Sequence, residues 1–401
     1  MANAHPALLA AAPGHRYTAA MCESASTLPP GTTTWLEIDQ SAIRSNLRML
    51  RGLTGPQTRL MAIIKADAYG HGARATARSV LAAGAQALGV ASLGEALELR
   101  EAGIDAPILL LSYVPPQAVP TAIGHNLTLT LFDAAQARVC DQAARATGRR
   151  LKAQVKLDSG MGRMGALVGD APALQEQLAD LSWLQLEGCY THFPQADEDC
   201  AWTREQLRRF LAAVAAMRQR GAQFSTLHSA NSAATLTMPE CHLDLVRPGI
   251  ALYGLSPSDT VPLPSGFRPA LTWKTQVVQV KDLPAGHSVG YGRTWTAASA
   301  ARMAVLPVGY EHGYRRAPHE SASVLLRGQV APVIGRISME KTTIDVSLIP
   351  GARVGDEVVL LGRQGKACIS AEILAARFGS NNYEVVTGLS ARMPRLQLST
   401  C

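Results

Sequence analysis

One lysine stands at the end of an apolar run and directly before a glycine-flanked turn. The run 60–64 predicts a buried strand, Lys65 follows it, and Tyr69 precedes the first glycine of the turn. Burial at a strand end lowers the pKa of a lysine and leaves a neutral amine that can attack an aldehyde. We therefore predict that Lys65 carries a Schiff base, with an ordinary lysine extending from a strand end as the alternative.

Other polar segments also follow predicted strands. The segment 156–165 carries Arg163 among three closely spaced glycines, which let the backbone turn the guanidinium inward toward a phenolate or a carboxylate. His192 follows another predicted strand, where a purely structural histidine is the alternative. Asn231 and Ser232 begin a predicted helix, whose free N–H groups suit a phosphate unless the two residues form only a helix cap.

Eight predicted strands position these residues. From residue 60 to about residue 254, short apolar runs alternate with helical patterns, which is typical of parallel βα units. A count of eight favours a closed TIM-type (β/α)8 barrel over an open sheet, with the chemistry at the C-terminal ends of the strands. The strands are predicted at 60–65, 87–91, 107–111, 127–131, 152–157, 184–190, 224–228 and 243–247, and the helices between them include 134–147 and 203–220.

A second domain follows a linker rich in proline and serine at 257–269. Beyond it, runs broken by Pro and Gly predict a mostly antiparallel β domain with one helix near 370–378. The predicted strand runs are 273–280, 302–308, 324–326, 330–334, 342–346 and 357–361. We therefore predict an α/β protein with three parts, namely a disordered tail at 1–33, a barrel domain at 34–262 and a C-terminal β domain at 263–401, which the strand at 35–39 could join.

Composition limits the class of protein. Of the 401 residues, 47% are hydrophobic and 17% are charged, so the chain can bury large cores. The net charge of +7 would suit an anionic partner, but basic residues do not interleave with aromatic ones along one face. No apolar run approaches the ~20 residues that cross a bilayer. We expect neither nucleic acid nor a membrane as a partner.

The cysteines and the N-terminal residues indicate the cellular compartment of the protein. Seven cysteines occur with no paired or metal-like spacing, and an odd count argues against a complete disulfide framework. Residues 1–33 lack the basic start of an export signal. We therefore expect a cytoplasmic protein with reduced thiols and without a metal site.

The segment 62–72, AIIKADAYGHG, resembles the cofactor-lysine motif of bacterial alanine racemases, and the resemblance extends from about residue 35 to residue 395. It implies pyridoxal 5'-phosphate as the cofactor and the fold of that family, an eight-stranded barrel with a C-terminal β domain. In the family the lysine, Lys65 here, binds the cofactor as a Schiff base. The tyrosine four residues later, Tyr69 here, contacts the cofactor phosphate.

The same resemblance implies roles for other strand-end residues. Arg163 matches an arginine that contacts the phenolic oxygen of the cofactor and the substrate carboxylate. Lys156 matches a lysine that many relatives carry as a carbamate, although an unmodified lysine paired with an acid fits the chemistry equally well. His192 matches a histidine at the cofactor ring. Tyr383 lies in a segment similar to the closing motif of the family and is expected at the phosphate or the substrate gate.

The segment 247–254, RPGIALYG, ends the predicted barrel. Gly249, followed by Ile250, would let the backbone approach the phosphate closely. Arg247 would donate a hydrogen bond to the pyridine nitrogen while staying protonated itself, so the ring nitrogen remains largely unprotonated. This arrangement favours simple return of a proton over transamination or elimination. A salt bridge at the barrel rim is the alternative role for Arg247.

Tyr291 lies between two glycines in the predicted β domain. In the racemase family a tyrosine at this point reaches across a dimer interface and serves as the second base. Racemisation requires one proton-transferring group on each face of the α-carbon. The resemblance therefore implies a homodimer with shared active sites, in which Lys65 acts on one face and Tyr291 of the partner subunit on the other. A turn tyrosine with only a packing role is the alternative.

Two segments depart from the pattern of the family. The pair Met339 and Glu340, expected to bind substrate, stands where relatives usually have Met-Asp. Glu311 and His312 stand where relatives usually have Ala-Asp. An added methylene at a substrate-facing loop can change the size of the pocket, so the substrate range can extend beyond alanine while racemisation is retained.

These observations predict an isomerase that interconverts L-alanine and D-alanine, a small-molecule amino-acid substrate, for cell-wall peptidoglycan or for D-amino-acid metabolism. A broad-specificity or serine racemase of the same fold is the nearest alternative. A non-catalytic barrel protein that binds pyridoxal phosphate would resemble only the first domain. A decarboxylase of the same barrel type would be expected to place an acid, not Arg247, at the ring nitrogen.

Overall fold

The computed structural model of the protein describes residues 27–316 and 322–398. Residues 1–26 of the predicted tail lie outside this part of the chain. The first strand is β1 (Thr34–Asp39), and the strands of the barrel follow it. They are β2 (Arg59–Ile63), β3 (Ala87–Val90), β4 (Ile108–Leu110), β5 (Thr128–Leu131), β6 (Leu151–Asp158), β7 (Ala166–Leu167), β8 (Leu184–Tyr190), β9 (Thr226–His228) and β10 (Leu245–Val246).

Helices alternate with these strands, and five of them begin at a side-chain cap, for example Ser92, which forms a reciprocal capping box with Glu95. They are α1 (Gln40–Gly52), α2 (Lys65–Tyr69), α3 (Ala73–Ala82), α4 (Leu93–Glu101), α5 (Val119–Gly124), α6 (Ala134–Thr147), α7 (Ala171–Leu178), α8 (Cys200–Gln219) and α9 (Ser232–Thr237). The predicted helix at 134–147 is confirmed, and the one predicted at 203–220 begins three residues earlier.

The barrel sheet has the strand order β10-β2-β3-β4-β5-β6-β8-β9, with every neighbouring pair parallel and β7 added beside β6. Backbone hydrogen bonds from Asp244 N–H to Leu227 O (3.1 Å) and from Arg247 N–H to Ala230 O (3.0 Å) bring the two ends of the sheet together. Strands β3 and β4 are buried along their whole length and read as continuous apolar runs, as is typical of parallel sheets. The predicted eight-stranded barrel is confirmed.

The β domain contains the remaining strands and the last two helices. The strands are β11 (Leu271–Gln276), β12 (Gln279–Leu283), β13 (Ser288–Val289), β14 (Trp295–Thr296), β15 (Ala301–Leu306), β16 (Ser323–Leu326), β17 (Gln329–Pro332), β18 (Thr342–Asp345), β19 (Glu357–Gln364), β20 (Ala367–Ile369) and β21 (Arg395–Leu398). The helices are α10 (Ala371–Phe378) and α11 (Asn382–Thr387). The predicted mostly-β domain is confirmed.

The main sheet of this domain has the order β17-β16-β19-β11-β1-β21, with β20 beside β19. Strand β1 pairs antiparallel with β11 and parallel with β21, so the first strand of the chain belongs to this sheet and the barrel is inserted after it. A three-stranded sheet, β12-β15-β18, and the pair β13-β14 complete the domain.

Two details of the β domain differ from the sequence prediction. The single run predicted at 273–280 is two strands, because Val277 N–H donates to Asp356 O beside one sheet while Val278 N–H donates to Val305 O of the other. Helix α11 and strands β13, β14, β20 and β21 were not predicted. Strands β13, β14 and β20 have only two or three residues, and α11 and β21 contain motif residues that had been interpreted as site residues.

Within 27–316 and 322–398, no group of three or more His, Cys, Asp or Glu side chains is placed to hold a metal ion. None of the helices in these ranges has the length and apolar character required to cross a bilayer. Five cysteines of this part are free thiols, namely Cys140, Cys189, Cys200, Cys241 and Cys368.

Candidate active site

A cavity of about 740 Å³ opens at the C-terminal ends of the barrel strands. Its wall contains eleven of the residues proposed from the sequence, which come from the barrel domain and, in one case, from helix α11. These are Lys65, Tyr69, Lys156, Arg163, His192, Asn231, Ser232, Arg247, Gly249, Ile250 and Tyr383. Residues far apart in sequence are therefore brought to one end of the barrel, where barrel enzymes carry their chemistry.

Lys65 begins a left-handed turn. The backbone from Ala66 to Tyr69 has φ values between 50° and 55°. A non-glycine residue in this region costs about 1–2 kcal/mol, so surrounding contacts must hold the turn. One of them is a hydrogen bond from the Ala66 N–H to the Glu95 carboxylate (2.6 Å). The turn places the side chains of Lys65 and Tyr69 together in the cavity wall.

A buried histidine and an arginine of the β domain also hold this turn. His71 Nδ1 lies 2.8 Å from the carbonyl of Tyr69 and 3.1 Å from that of Ala68, and it must donate because carbonyls only accept. Arg395, the first residue of β21, donates from Nε to the carbonyl of Gly70 (2.9 Å). The β domain thus contacts the turn that carries the candidate catalytic lysine.

The surroundings of Lys65 favour its neutral form. Burial lowers the pKa of Lys65, and the positive charge of Arg163 lowers it further, while the Glu95 carboxylate opposes both effects. An amine with a lowered pKa has a larger neutral fraction at physiological pH and is a better nucleophile and base. This electrostatic setting suits attack on a carbonyl and proton transfer.

Lys156 lies on β6 and lines the same cavity. Burial lowers the pKa of Lys156 to about 8, assisted by the charges of Arg163 and Arg247, and Asp158 only partly opposes this. The ammonium nitrogen lies 5.6 Å from the centroid of the Tyr190 ring. Lys156, Arg163 and Arg247 therefore bring three cationic side chains together, and an anion bound among them would relieve their repulsion.

The loop that carries Arg163 is folded around the carboxylate of Asp158. Backbone N–H groups of Gly160 (2.9 Å), Met161 (2.7 Å) and Arg163 (3.1 Å) donate to this carboxylate. Although burial opposes it, these donors and the N–H of Gly162 lower the pKa of Asp158. The carboxylate therefore stays ionised and fixes the loop backbone that presents Arg163 to the cavity.

Arg247 is buried, and three of its N–H groups donate hydrogen bonds to residues of the barrel. Its Nη2 donates to the carbonyls of Thr191 (2.7 Å) and Ser229 (2.9 Å), and its Nη1 donates to Nδ1 of His228 (2.6 Å). Burial lowers the pKa of Arg247 to about 10, so it remains protonated near neutral pH. The His228 ring stacks on Tyr190, with centroids 4.7 Å apart.

Tyr69, Ser232 and Gly249 form a small polar recess in the wall. The N–H of Gly249 donates to the Ser232 hydroxyl (2.9 Å), and Asn231 caps helix α9 through its side chain (3.1 Å). A Cβ at Gly249 would lie only 2.5 Å from the Tyr69 hydroxyl oxygen. Only glycine at this position leaves the hydroxyl and the backbone open to a common ligand.

His192 and Tyr383 line other parts of the cavity. Burial lowers the pKa of His192 well below its usual range, and the charges of Arg247 and Lys156 act in the same direction. His192 is therefore neutral near pH 7. The Tyr383 ring lies 6.2 Å from that of Tyr69, and burial raises the pKa of Tyr383, so its phenol stays protonated.

Three residues proposed from the sequence do not line this cavity in the single chain. Tyr291 is 66% exposed and Met339 is 56% exposed, and Glu340 is also exposed. The Arg316 guanidinium lies 6.0 Å from the centroid of the Tyr291 ring. Whether these side chains complete a cavity depends on a second subunit, so their roles stay predictions.

The unusual pair Glu311 and His312 also lies away from the cavity wall. Glu311 pairs with Arg392 (3.5 Å) and lies within 3.4 Å of the Ser390 hydroxyl. His312 forms the end of a short 3-10 helix at Tyr310–His312. In this chain the departure from the family pattern therefore builds an ion pair in the β domain.

Two models of known protein families match the chain. The family models "Alanine racemase, N-terminal domain" and "Alanine racemase, C-terminal domain" match residues 38–257 and 270–397.

The chain belongs to the alanine racemase family.

Individual relatives match almost the whole chain. The alanine racemase of Desulfovibrio desulfuricans is 46% identical over 363 residues, which is 90% of this chain and 97% of the relative. The alanine racemase of Bacillus anthracis, in a crystal structure with bound L-Ala-P, has a TM-score of 0.89 and 34% identity and covers 93% of this chain and 97% of its own. A histidine racemase from Leuconostoc mesenteroides has a TM-score of 0.85 and 28% identity over 92% of this chain and 99% of its own.

These matches confirm the predicted family, the predicted fold and the predicted class of enzyme, an isomerase. Sequence reasoning missed His228, Tyr190 and Asp158 as residues that hold Arg247, Lys156 or the Arg163 loop at the candidate site. All three lie at strand ends that had been identified, so their positions were visible. Their partners are distant in sequence, and only the folded chain brings them together.

Proposed function

We propose that the protein interconverts L-alanine and D-alanine with pyridoxal 5'-phosphate as its cofactor. The observation that carries this proposal is the convergence, in one cavity, of an amine with a lowered pKa and the recess formed by Tyr69, Ser232 and Gly249. Membership of the alanine racemase family agrees with it.

The residues present fit the proposed cofactor. The recess at Gly249 offers a hydroxyl of Tyr69, a hydroxyl of Ser232 and backbone N–H groups, including that of Ile250, to a phosphate. Arg247, held by three hydrogen bonds, would donate one of its two remaining N–H groups toward a ring nitrogen. When bound, pyridoxal phosphate supplies an aldehyde that takes up the substrate amine and a ring that makes the α-proton acidic.

Lys65 would perform two tasks. Its amine would hold the cofactor through the aldehyde, and once a substrate amine has taken that place, Nζ would accept or return a proton at the α-carbon from one face. The lowered pKa of Lys65 supports both tasks. Arg247 keeps its own proton near neutral pH, so it would act at a ring nitrogen as a hydrogen-bond donor and not as an acid, which would favour return of the proton to the α-carbon.

Arg163 would bind the substrate carboxylate, and Lys156 would support Arg163 as a carbamate. A neutral Lys156 amine can form an N–C bond with carbon dioxide and release one proton, which leaves an anion. Its pKa of about 8 and the neighbouring cations favour that product. An intact-mass measurement in bicarbonate is expected to show one added CO2, which Lys156→Gln would abolish. An unchanged mass with full activity would contradict the carbamate.

We propose that the second base is Tyr291 of the partner subunit. A group on the face opposite Lys65 is required to invert the α-carbon. The exposure of Tyr291 and of Met339 on the single chain supports a surface that a second copy would cover. The active unit would then be a homodimer in which each subunit completes the site of the other, with Met339 and Glu340 of the partner subunit near the substrate.

The proposed function is tested by absorbance, trapping and chiral analysis on one preparation. The purified protein with pyridoxal phosphate is expected to show an imine band, and borohydride followed by peptide mapping is expected to label Lys65. Chiral chromatography should then show L-alanine and D-alanine approaching equal amounts. A label on another lysine, or an imine band without any racemisation, would contradict the proposal.

A broader substrate range is the second candidate function. A histidine racemase shares the fold with 28% identity, so the fold is compatible with a larger side chain. The longer Glu340 at the expected substrate loop supports the same possibility. Values of kcat/KM for alanine, serine, lysine, arginine and histidine distinguish a strict alanine racemase from a broad-specificity one. Strict specificity requires the kcat/KM for alanine to exceed that for each other amino acid by at least about 100-fold.

A further inference from the structure

A line of buried hydrogen bonds runs from Arg247 away from the active-site cavity toward the opposite end of the barrel. Arg247 Nη1 lies 2.6 Å from Nδ1 of His228, and Nε2 of the same ring lies 2.6 Å from Oε1 of Gln154. His228 and Gln154 are both buried. They come from β9 and β6, which are separated in the sheet by β8.

The chemistry of the two end groups fixes the protons between them. A guanidinium can only donate, so Nδ1 of His228 must accept and carries no proton. Nε2 must then carry the single proton of a neutral ring and donate it to the Gln154 carbonyl oxygen. A protonated His228 would present an N–H to Arg247 and add a second positive charge at 2.6 Å. Only one tautomer of one protonation state fits.

The surroundings keep the ring in that state. Burial lowers the pKa of His228 well below its usual range, and the charges of Arg247 and Arg59 act in the same direction. Tyr190, stacked on the ring, is the other titratable group that faces it in the described part of the chain. Burial raises the pKa of Tyr190 to about 12, so it carries no charge near neutral pH.

We infer that Gln154 is a positioning residue: by accepting the Nε2 proton of His228, it keeps Nδ1 free to accept from Arg247 and so fixes the guanidinium in the cavity. The inference deepens the proposed function and rests on it, because Arg247 matters only if a ring nitrogen binds there. Gln154 acts from outside the site. It lines a second cavity of about 520 Å³, which also includes Arg59 and Gln185.

The fit of the Gln154 amide is close. A Cβ at Gly188, on the neighbouring strand β8, would lie 3.2 Å from the amide carbon of Gln154. The missing side chain at Gly188 therefore leaves the space in which the amide turns toward His228. This arrangement supports a specific role for the amide rather than general filling of the barrel.

Three variants of the full-length protein test the inference. Gln154→Leu keeps the size of the side chain but removes the acceptor, and Gln154→Glu keeps an acceptor and adds a charge. Gln185→Leu is the matched control, because it removes an amide from the same second cavity without touching His228. Thermal melting first establishes that each variant folds.

The first readout is the tautomer of His228, measured by ¹⁵N NMR on histidine-labelled protein without cofactor. In the wild type and in Gln185→Leu, Nδ1 should appear unprotonated and Nε2 protonated. Gln154→Leu should shift these signals toward a mixture of tautomers. Because this measurement needs neither cofactor nor turnover, it stands even if the proposed function fails.

The second readout is catalysis by the cofactor-loaded enzyme. Gln154→Leu is expected to lower kcat about tenfold, the factor that one buried hydrogen bond represents, with a smaller change in KM. Gln154→Glu is expected to raise the pKa of His228 and to lose activity as the pH falls, because a protonated ring repels Arg247. The inference is overturned if Gln154→Leu matches Gln185→Leu in tautomer, kcat and pH profile while the wild type racemises alanine.

Discussion

Single residues in the cavity owe their protonation states to burial and to neighbouring cations. The pKa of Lys65 is lowered by burial and by Arg163, and that of His192 by burial and by several cations. Arg247, also buried, keeps its proton because its pKa falls only to about 10. The cavity therefore offers an amine whose neutral fraction is increased, and it retains positive charge on arginine, which suits an anionic cofactor and substrate.

The glycine in the proposed phosphate recess provides the first prediction. In Gly249→Ala the new Cβ would lie 2.5 Å from the Tyr69 hydroxyl oxygen, so the hydroxyl must move away from the phosphate. We expect the affinity for pyridoxal phosphate, measured by fluorescence titration, to fall at least about tenfold, which is the loss of about one good hydrogen bond. Gly169→Ala is the control, since nothing lies within 4 Å of its Cβ. Equal affinities in the two variants would refute the recess.

The proposed second base provides the second prediction. Tyr291→Phe removes only the hydroxyl, and positioned proton transfer contributes about 10²–10⁴-fold to a rate. We expect kcat for alanine to fall at least about 100-fold in both directions while the absorbance of the bound cofactor stays unchanged. Tyr113→Phe, at another exposed tyrosine, should keep wild-type kcat. A Tyr291→Phe enzyme with normal kcat would exclude the phenol as a base.

At the scale of elements, the left-handed turn after β2 is the feature that sets the site. Four consecutive residues, Ala66 to Tyr69, have positive φ values. Such a turn is unfavourable alone and depends on Glu95, His71 and Arg395. Because Arg395 belongs to β21, the strand that pairs with β1, the β domain stabilises a turn of the barrel.

The third prediction concerns this contact between the domains. Arg395→Ala removes the hydrogen bond to Gly70 O and the ion pair with Asp67 (3.5 Å). We expect the free energy of unfolding to fall by about 1–3 kcal/mol and the cofactor affinity to fall with it. Arg392→Ala is the matched control, because the Arg392 side chain is 85% exposed. Urea denaturation and cofactor titration measure both effects, and identical behaviour of the two variants would argue against the contact.

Much of the element structure could be predicted because burial leaves a clear pattern in the sequence. Strands of a parallel barrel are buried on both faces, so β3 and β4 appear as short apolar runs separated by helical patterns. Strand β1 could be predicted as a strand, but its place beside β11 depends on pairing across more than 230 residues. No local pattern encodes that pairing.

The candidate site could be predicted in part for the same reason. Lys65, Arg163 and Arg247 follow strands and stand in recognisable motifs, so their meeting at one end of the barrel followed from the fold. The left-handed conformation of Ala66 could not be foreseen, because alanine rarely adopts it. The line of hydrogen bonds from Arg247 through His228 to Gln154 could not be predicted either, because an interior glutamine in a strand has no local signature of function.

At the scale of the whole molecule, buried neutral histidines make stability depend on pH. Burial lowers the pKa of His71 from 6.5 to about 4 in the folded chain. Between pH 4 and 6.5 the unfolded chain therefore binds the extra proton and the folded chain does not. Stability is greatest above pH 6.5 and is lost as the pH falls toward 4, by about 3 kcal/mol from this residue.

The fourth prediction follows from that dependence. His71→Asn keeps a donor for the carbonyl of Tyr69 but cannot titrate. The difference in unfolding free energy between the wild type and this variant should shrink as the pH falls from 7 to 4. Denaturant melts at a series of pH values measure it. A difference that does not vary with pH would show that His71 does not remain neutral in the folded protein.

Mixed dimers test the central claim most directly, namely that an amine and a phenol from different subunits act on one α-carbon. Lys65→Ala and Tyr291→Phe enzymes should each be almost inactive alone. Random exchange of subunits makes about half of the dimers mixed, and each mixed dimer has one site with both groups intact, so about a quarter of wild-type racemase activity should return. If both groups belonged to the same subunit, no mixture would regain activity, and that result would contradict the shared active site.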